Sequence, residues 1–302
     1  MAEQNAPSAT FCYFRGARFP SPPVSPQGLE LVESFGVRDD DVFVSAFRKS
    51  GTTWTQQIVS LVTTGSNISE VSRIPLGKRV PWLERAGLHA DAPPIISQLK
   101  DSPSPRLMKT HLPYNMLPKQ AREGKGKIVY CARNPKDVAV SLYNMRQIND
   151  MLQLLTWEEA LHDFLSEPPA NLWWNVIPEY WCHKDDDNLL FIKYEDMKKD
   201  LRGHVVKIAE FLGRSLTEEQ IDEVTANCTF AAMKENQATN VSRDPLIQEK
   251  MLKRGKEKGI EFVRKGQVGD WRNWFSPQQL ETFEAFHREK MAETDLTFED
   301  EE

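Results

Sequence analysis

Val42-Phe43-Val44-Ser45-Ala46-Phe47 runs directly into Arg48-Lys49-Ser50-Gly51-Thr52-Thr53-Trp54. The first six residues are an apolar run rich in β-branched and aromatic side chains, which predicts a strand. Beyond the loop, Trp54, Ile58, Leu61 and Val62 recur at helical spacing. A small hydroxyl-rich turn between a strand and a helix offers free backbone N–H groups and a positive helix end to an anion. Ser50, Thr52 and Thr53 add hydroxyl donors, and Lys49 adds a full charge. The order differs from the common phosphate loop GxxxxGK[ST]. Here the lysine precedes Ser-Gly and the leading glycine is absent, which weakens an ordinary ATPase or GTPase reading.

Three more β-type runs follow, at 106–110, 127–132 and 189–194. Helical patterns separate them, over 54–64, 135–148, 157–165, 172–184, 203–212, 217–225 and 277–291. Asn134 reads as an N-cap and Pro135 as the first helical residue. Alternating strands and helices predict an α/β fold with a mainly parallel central sheet flanked by helices. Residues 1–28 are Pro/Ser-rich and read as irregular, with 29–302 as a single domain. The stretch 234–268 loses periodicity. From Arg243 to Lys265 it carries eight Lys/Arg against four Asp/Glu. A long irregular basic segment reads as a solvated loop or as a lid over an anionic ligand.

Composition narrows the class further. The chain has 302 residues, 40% hydrophobic and 27% charged, enough for a large α/β core. The net charge of -6 argues against nucleic-acid binding, which needs a basic face, but not against a nucleotide ligand. No apolar run of about 18 residues is present, so no membrane span is expected. The N-terminus has no apolar h-region, so no signal peptide is read. Cys12, Cys131, Cys182 and Cys228 are scattered without a CxxC pair, which suits reduced thiols in the cytoplasm. The sequons at Asn67, Asn227 and Asn240 are then chance. No clustered His, Cys and carboxylates suggest a metal.

Four ordered strings carry a family resemblance. Phe47-Arg48-Lys49-Ser50-Gly51-Thr52-Thr53-Trp54 resembles the [YF]PKSGTTW loop of the cytosolic sulfotransferases, with Arg48 where the family usually has proline. Lys109-Thr110-His111-Leu112-Pro113 follows. Then come Arg133-Asn134-Pro135-Lys136-Asp137-Val138-Ala139-Val140-Ser141, Arg264-Lys265-Gly266 and Gly269-Asp270-Trp271. The resemblance spans about residues 12 to 295. It implies a single α/β domain with a P-loop-like phosphate site. It also implies transfer of a sulfuryl group from 3'-phosphoadenosine 5'-phosphosulfate (PAPS) to a hydroxyl or amine of a small acceptor, releasing adenosine 3',5'-bisphosphate (PAP).

The same resemblance implies roles. Lys49 would meet the leaving-group oxygen and Lys109 the sulfuryl group, each facing charge that grows in the transition state. Ser50, Gly51, Thr52 and Thr53 would hold the 5'-phosphate. His111 resembles the general base, since a neutral imidazole can take the acceptor's proton. Arg133 and Ser141, with Arg264, Lys265 and Gly266, would bind the 3'-phosphate. Trp54 and Phe230 resemble an aromatic sandwich for adenine, with Tyr194 and Thr229 beside it. Asp137 reads as structural, as do His89, His162, His183, His204 and His287. Apart from any resemblance, Lys49, Lys109, His111, Arg133 and Tyr194 all fall at or beyond the carboxyl ends of predicted strands, where open α/β sheets bind ligands.

For the acceptor the expectation is an apolar pocket built from Phe14, Phe19, Pro81, Trp82, Met145 and the 234–252 segment, with a phenol favoured. A homodimer contact is in doubt, because Ser276-Pro277 replaces the Thr-Val of the family's dimer string. Two rivals remain. A small-molecule kinase would need a Walker-type order and a magnesium aspartate, and neither is visible. A nucleotide-binding protein without catalysis would not need both Lys49 and His111.

Overall fold

Period-two alternation along three buried strands places two cores on opposite faces of one sheet. A computed structural model describes residues 10–21, 23–65, 67–87, 92–243 and 245–298. Two strands, β1 (Thr10–Phe14) and β2 (Ala17–Ser21), form an antiparallel hairpin. The other four, β3 (Val42–Ala46), β4 (Leu107–Thr110), β5 (Lys127–Ala132) and β6 (Leu189–Lys193), form a parallel sheet in the order β4-β3-β5-β6. Phe43, Met108, Ile128, Tyr130 and Phe191 point to one face, toward the helix Trp173–Cys182. Val42, Val44, Ala46, Val129, Cys131 and Ile192 point to the other, toward the helices Thr52–Thr64 and Leu201–Phe211. Both faces are covered, so these strands read as continuous apolar runs.

The strand order puts β3 between β4 and β5. The chain leaves β3 for one neighbour and later returns to pair on the other side. That reversal opens a crevice at the carboxyl ends of the strands.

The predicted α/β class and parallel sheet are therefore present, with element boundaries shifted by a few residues at most. The helix Pro135–Ile148 starts as expected, with the Asn134 side chain accepting the Lys136 N–H and Pro135 in the first turn.

Two expectations need correction. The 1–28 segment is not irregular where it is described, because 10–21 pairs as a hairpin and Pro26–Val32 is a helix. Arg15 and Gly16 both take positive φ, 49° and 79°, the twist that a tight two-residue hairpin requires. Arg-Gly is a weak form of that signal, which is why composition hid it. The 234–268 segment is also largely helical, with Phe230–Glu235, Pro245–Met251 and Lys253–Lys258. Helices of one or two turns leave no readable period, and 236–240 and 259–269 lack helix. In the dimer string, Ser276 caps the helix Pro277–Lys290 through Gln279.

One buried ion pair ties β3 to β4. Asp41, fully buried just before β3, accepts from Arg106 Nε at 2.8 Å and from its Nη2. Arg106 also donates to the Gly36 and Leu99 carbonyls. An Asp41→Ala change strands this guanidinium in the core. It should cost about 3–5 kcal/mol. At roughly 2–4 °C per kcal/mol, a thermal melt should drop by on the order of 10 °C.

Candidate active site

All four parallel strands deliver a polar residue to one cavity of about 780 Å³. The loop after β3 brings Lys49, Gly51, Thr52 and Thr53, and the helix that follows brings Trp54. Lys109 comes from β4 and His111 from just beyond it. Arg133 follows β5, and Tyr194 follows β6.

The loop after β3 is bent into a cradle by two left-handed residues. Lys49 has φ 66°, costly for a side-chain-bearing residue, and Gly51 has φ 104°. At Gly51 an added Cβ would lie 2.9 Å from Tyr194 Cδ2 and 3.1 Å from Cys131 Sγ, so both space and φ require glycine. The helix Thr52–Thr64 has no side-chain cap, which leaves its first N–H groups for another partner. Ser50 Oγ and Thr52 Oγ1 are buried and have no hydrogen-bond partner among the described residues. Ser50, expected at the phosphate, does not line the cavity, whereas Thr52 does. An orphaned Thr52 hydroxyl at a bare helix end, beside a lysine, fits a phosphate or sulfate group.

The two lysines of the floor are held mainly by aromatic faces. Burial, then Arg133, Arg264 and Lys109, pull the Lys49 pKa down to about 7. Its ammonium lies 3.9 Å from the centre of the Phe262 ring, in place of a carboxylate. Burial also lowers Lys109 to about 8, against the opposing effect of Glu84. Its ammonium sits 4.4 Å from the Trp82 ring centre. Ammonium groups held over aromatic faces are placed but not neutralised.

His111 is fixed by two backbone bonds. Its Nδ1–H donates to the Ala46 carbonyl at 2.8 Å, and its own N–H donates to Glu84 Oε1 at 2.8 Å. A carbonyl can only accept, so the neutral ring carries its proton on Nδ1 and leaves the Nε2 lone pair free. Burial first, then Lys109, hold its pKa at about 3. The imidazole is therefore neutral at physiological pH. Trp82 packs edge-on against it, with ring centres 5.5 Å apart.

Around Arg133 the predicted 3'-phosphate residues converge. Its guanidinium lies 4.3 Å from the Tyr194 ring centre and donates through Nη2 to the Gln267 carbonyl at 2.9 Å. Ser141, Arg264, Lys265 and Gly266 line the same wall. Arg264 and Lys265 each pair with Asp270 at 2.6 Å. Burial alone would raise Asp270, but donors from Lys265, Arg264 and Asn273 outweigh it and hold the carboxyl at about 2. Asp137 has the structural role expected of it, accepting from the Gly269 and Trp271 N–H groups and so tying the 264–271 turn to the helix Pro135–Ile148.

The aromatic slot is also formed. The Trp54 indole N–H donates to the Cys228 carbonyl at 2.7 Å, which fixes that ring edge-on to Tyr194. Gly266 lies so close to Phe230 that a Cβ would be 2.2 Å from its Cδ2. Thr229 does not join them. Its hydroxyl caps the helix Phe230–Glu235, accepting from Ala232 and donating to Ala226.

On the apolar side Phe19, Trp82 and Met145 line the cavity as expected. Phe14 and Pro81 do not. Phe14 packs on the core, because strand alternation turns Phe11 rather than Phe14 to the cavity. The Pro81 carbonyl instead accepts the Lys109 N–H at 2.9 Å. Among the described residues of the 234–252 segment, only Met251 reaches the lining. Sequence reasoning missed Phe47, Phe262, Gln267 and Glu84 as cavity residues; of these only Glu84 carried a signal, an acid two positions from Trp82 in an apolar run. His162, His183, His204 and His287 lie off the cavity, and His89 lies outside the described residues.

Comparison with known proteins agrees with this geometry. Residues 39–295 match the family model described as a sulfotransferase domain. Mouse sulfotransferase 1B1 is 37% identical over 89% of this chain and 88% of its own length. The amine sulfotransferase of Oryctolagus cuniculus is 37% identical over 94% of this chain and 92% of its own. A crystal structure of retinol dehydratase with retinol and PAP superposes with a TM-score of 0.82 at 27% identity, covering 96% of this chain and 92% of that one. The chain belongs to the sulfotransferase family. It is a PAPS-dependent enzyme that transfers a sulfuryl group to a hydroxyl or amine of a small acceptor. No helix among the described residues is long and apolar enough to cross a membrane.

Lys49 is a buried cation whose protonated form the empty fold disfavours. Its depressed pKa means that between about pH 7 and the unfolded value near 10.5, unfolding takes up a proton. Lys49→Met should therefore raise the melting temperature of the ligand-free protein at pH 7 by several degrees. Scanning calorimetry would show it. A lower melting temperature would contradict the electrostatic account.

Proposed function

We propose that this enzyme sulfates the hydroxyl of an apolar acceptor, a phenol or similar alcohol, with His111 as the base. The observation that carries this reading is the His111 ring, whose Nδ1–H is committed to Ala46 and whose Nε2 is left free beside Lys109 and Trp82. PAPS supplies the sulfuryl group. The acceptor hydroxyl gives its proton to Nε2 as its oxygen bonds to sulfur and the sulfur–phosphate oxygen bond breaks. Lys49 meets the charge growing on the leaving phosphate, and Lys109 holds the sulfuryl oxygens. Thr52, Thr53 and the N–H groups that follow Gly51 hold the 5'-phosphate. Arg133, Ser141, Arg264, Lys265 and Gly266 hold the 3'-phosphate, and Trp54, Phe230 and Tyr194 hold the base.

Charge orders these events. In the empty cavity burial first, and then the cations around it, make His111 a weak base. An anionic donor offsets the cationic part of that depression, so His111 gains basicity when the donor binds. The apolar walls, with Phe19, Phe47, Trp82 and Met145, support a hydrophobic acceptor. Four free cysteines, two of them buried, support a cytoplasmic setting. Ser276 and Pro277 are taken up by a helix cap, so the family's usual dimer string has no part in this reading.

His111→Ala should reduce kcat by roughly 10²–10⁴-fold while the PAP-induced rise in melting temperature persists. Unchanged turnover would remove His111 from the mechanism. Above pH 7 the affinity for PAP should fall as pH rises, because Lys49 at about 7 and Lys109 at about 8 lose protons that the complex needs. Calorimetry at pH 8 in two buffers of different ionisation enthalpy should show proton uptake on binding. Lys49→Met should reduce that uptake.

A further inference from the structure

Five residues far apart in sequence meet on the acceptor side of the cavity. Arg18, from β2, approaches Asp163 at 3.4 Å and Glu167 at 3.5 Å. Arg48, in the loop after β3, pairs with Glu167. Arg146, on the helix Pro135–Ile148, pairs with Asp163. All three arginines line the cavity and two carboxylates answer them, an excess of one positive charge. Arg48 and Arg146 each reach a carboxylate through Nη2 alone among the described residues, so donors on both guanidiniums remain. Their side chains keep 31% and 21% of their exposure, and both border the cavity.

Apolar side chains stand beside the cluster. Arg48 lies 5.5 Å from the Phe47 ring centre and Arg18 lies 4.8 Å from that of Phe11. Met145 adjoins Arg146 on the same helix, and Phe19 lines the wall beside Arg18. Burial and the neighbouring Arg48 and Arg18 lower the Arg146 pKa, while Asp163 opposes them, consistent with incomplete compensation. A cluster that served structure alone would be expected to balance its charges at a partly buried site.

We propose that the acceptor is an amphipathic acid whose hydroxyl faces His111, whose apolar body lies on Phe19 and Met145, and whose carboxylate is bound by Arg48 and Arg146. This rests on the acceptor-side reading above and adds the chemical class of the acceptor. Guanidiniums bind carboxylates through paired N–H donors, which fixes the acid's orientation as well as its charge. A neutral ester of the same shape would leave those donors unpaired.

The test uses a homologous series of ω-(4-hydroxyphenyl)alkanoic acids and their methyl esters. Their binding to the PAP-saturated enzyme is measured by calorimetry, and their sulfation is measured separately with PAPS. At the best chain length the acid should bind at least about ten-fold tighter than its ester. Arg146→Met should lower that ratio about ten-fold and leave ester binding within two-fold. Asp163→Asn, which adds net positive charge, should raise the ratio. Arg48→Met gives the same reading as Arg146→Met by an independent route, should the Arg146 variant fail to fold by circular dichroism. Esters that bind as tightly as acids at every chain length, or ratios that ignore both changes of charge, would overturn the proposal. Acids preferred in binding but neither series sulfated would leave the anion site standing and refute the His111 chemistry instead.

Discussion

Positive charge buried without a counter-ion is the constraint around which the site is arranged. Lys49 lies under a loop whose two left-handed residues turn it into the cavity, and its nearest charged neighbours repel it. An isolated charge in a folded interior is costly. The fold tolerates it because the ammonium rests on an aromatic ring and because the pKa can fall until the proton is lost. Both features disappear as liabilities once an anion enters. The empty state is thus destabilised at the place where the donor binds, so part of the cation–anion attraction goes into the complex and not into the resting fold.

The rest of the cavity follows the same logic by degrees. Lys109 is only partly compensated by Glu84. Arg264 and Lys265 are better answered, because Asp270 pairs with both, and Arg133 lies 3.7 Å from Asp137. An anion on that wall would compete with Asp270, while beside Lys49 no carboxylate opposes it. Floor and wall therefore differ in kind. The floor selects any anion of the right size, and the wall favours a ligand with a second anionic group at a set distance. Gly266 against Phe230 and Trp54 against Cys228 hold an aromatic slot between them. Charge and shape together describe a nucleotide bearing phosphates on two sides.

The two halves of the cavity also differ in how they are built. One half, around Lys49, Lys109, His111, Arg133 and Tyr194, comes from strand ends and the turns that follow them, fixed by the sheet. The other is assembled from the hairpin, Trp82, the helix Pro135–Ile148 and short helices near 230–258. Methionines 145, 151, 233 and 251 line it, and unbranched thioether side chains adapt to irregular ligands. Rigid chemistry on one side and an adjustable wall on the other would let one reaction serve different acceptors.

Much of this was written in local sequence. The strands at 127–132 and 189–193 are short apolar runs, and the helices at 135–148 and 157–165 have clear caps and periods, so their placement needs only near neighbours. The motif residues around Lys49, His111 and Arg133 were legible because each sits within a few residues of a strand end. The hairpin and the short helices after 230 were not, since two-residue turns and one-turn helices carry too little pattern. Phe11 was missed for a similar reason, because a one-residue offset decides which face of a strand meets the cavity. What only the tertiary structure decided is which distant groups share a dielectric. The neutral state of His111, the depressed Lys49 and the cluster of Arg18, Arg48 and Arg146 with Asp163 and Glu167 all depend on burial and on groups brought in from other parts of the chain. Sequence determined which side chains are available, and packing determined which of them must bear a charge that water cannot reach.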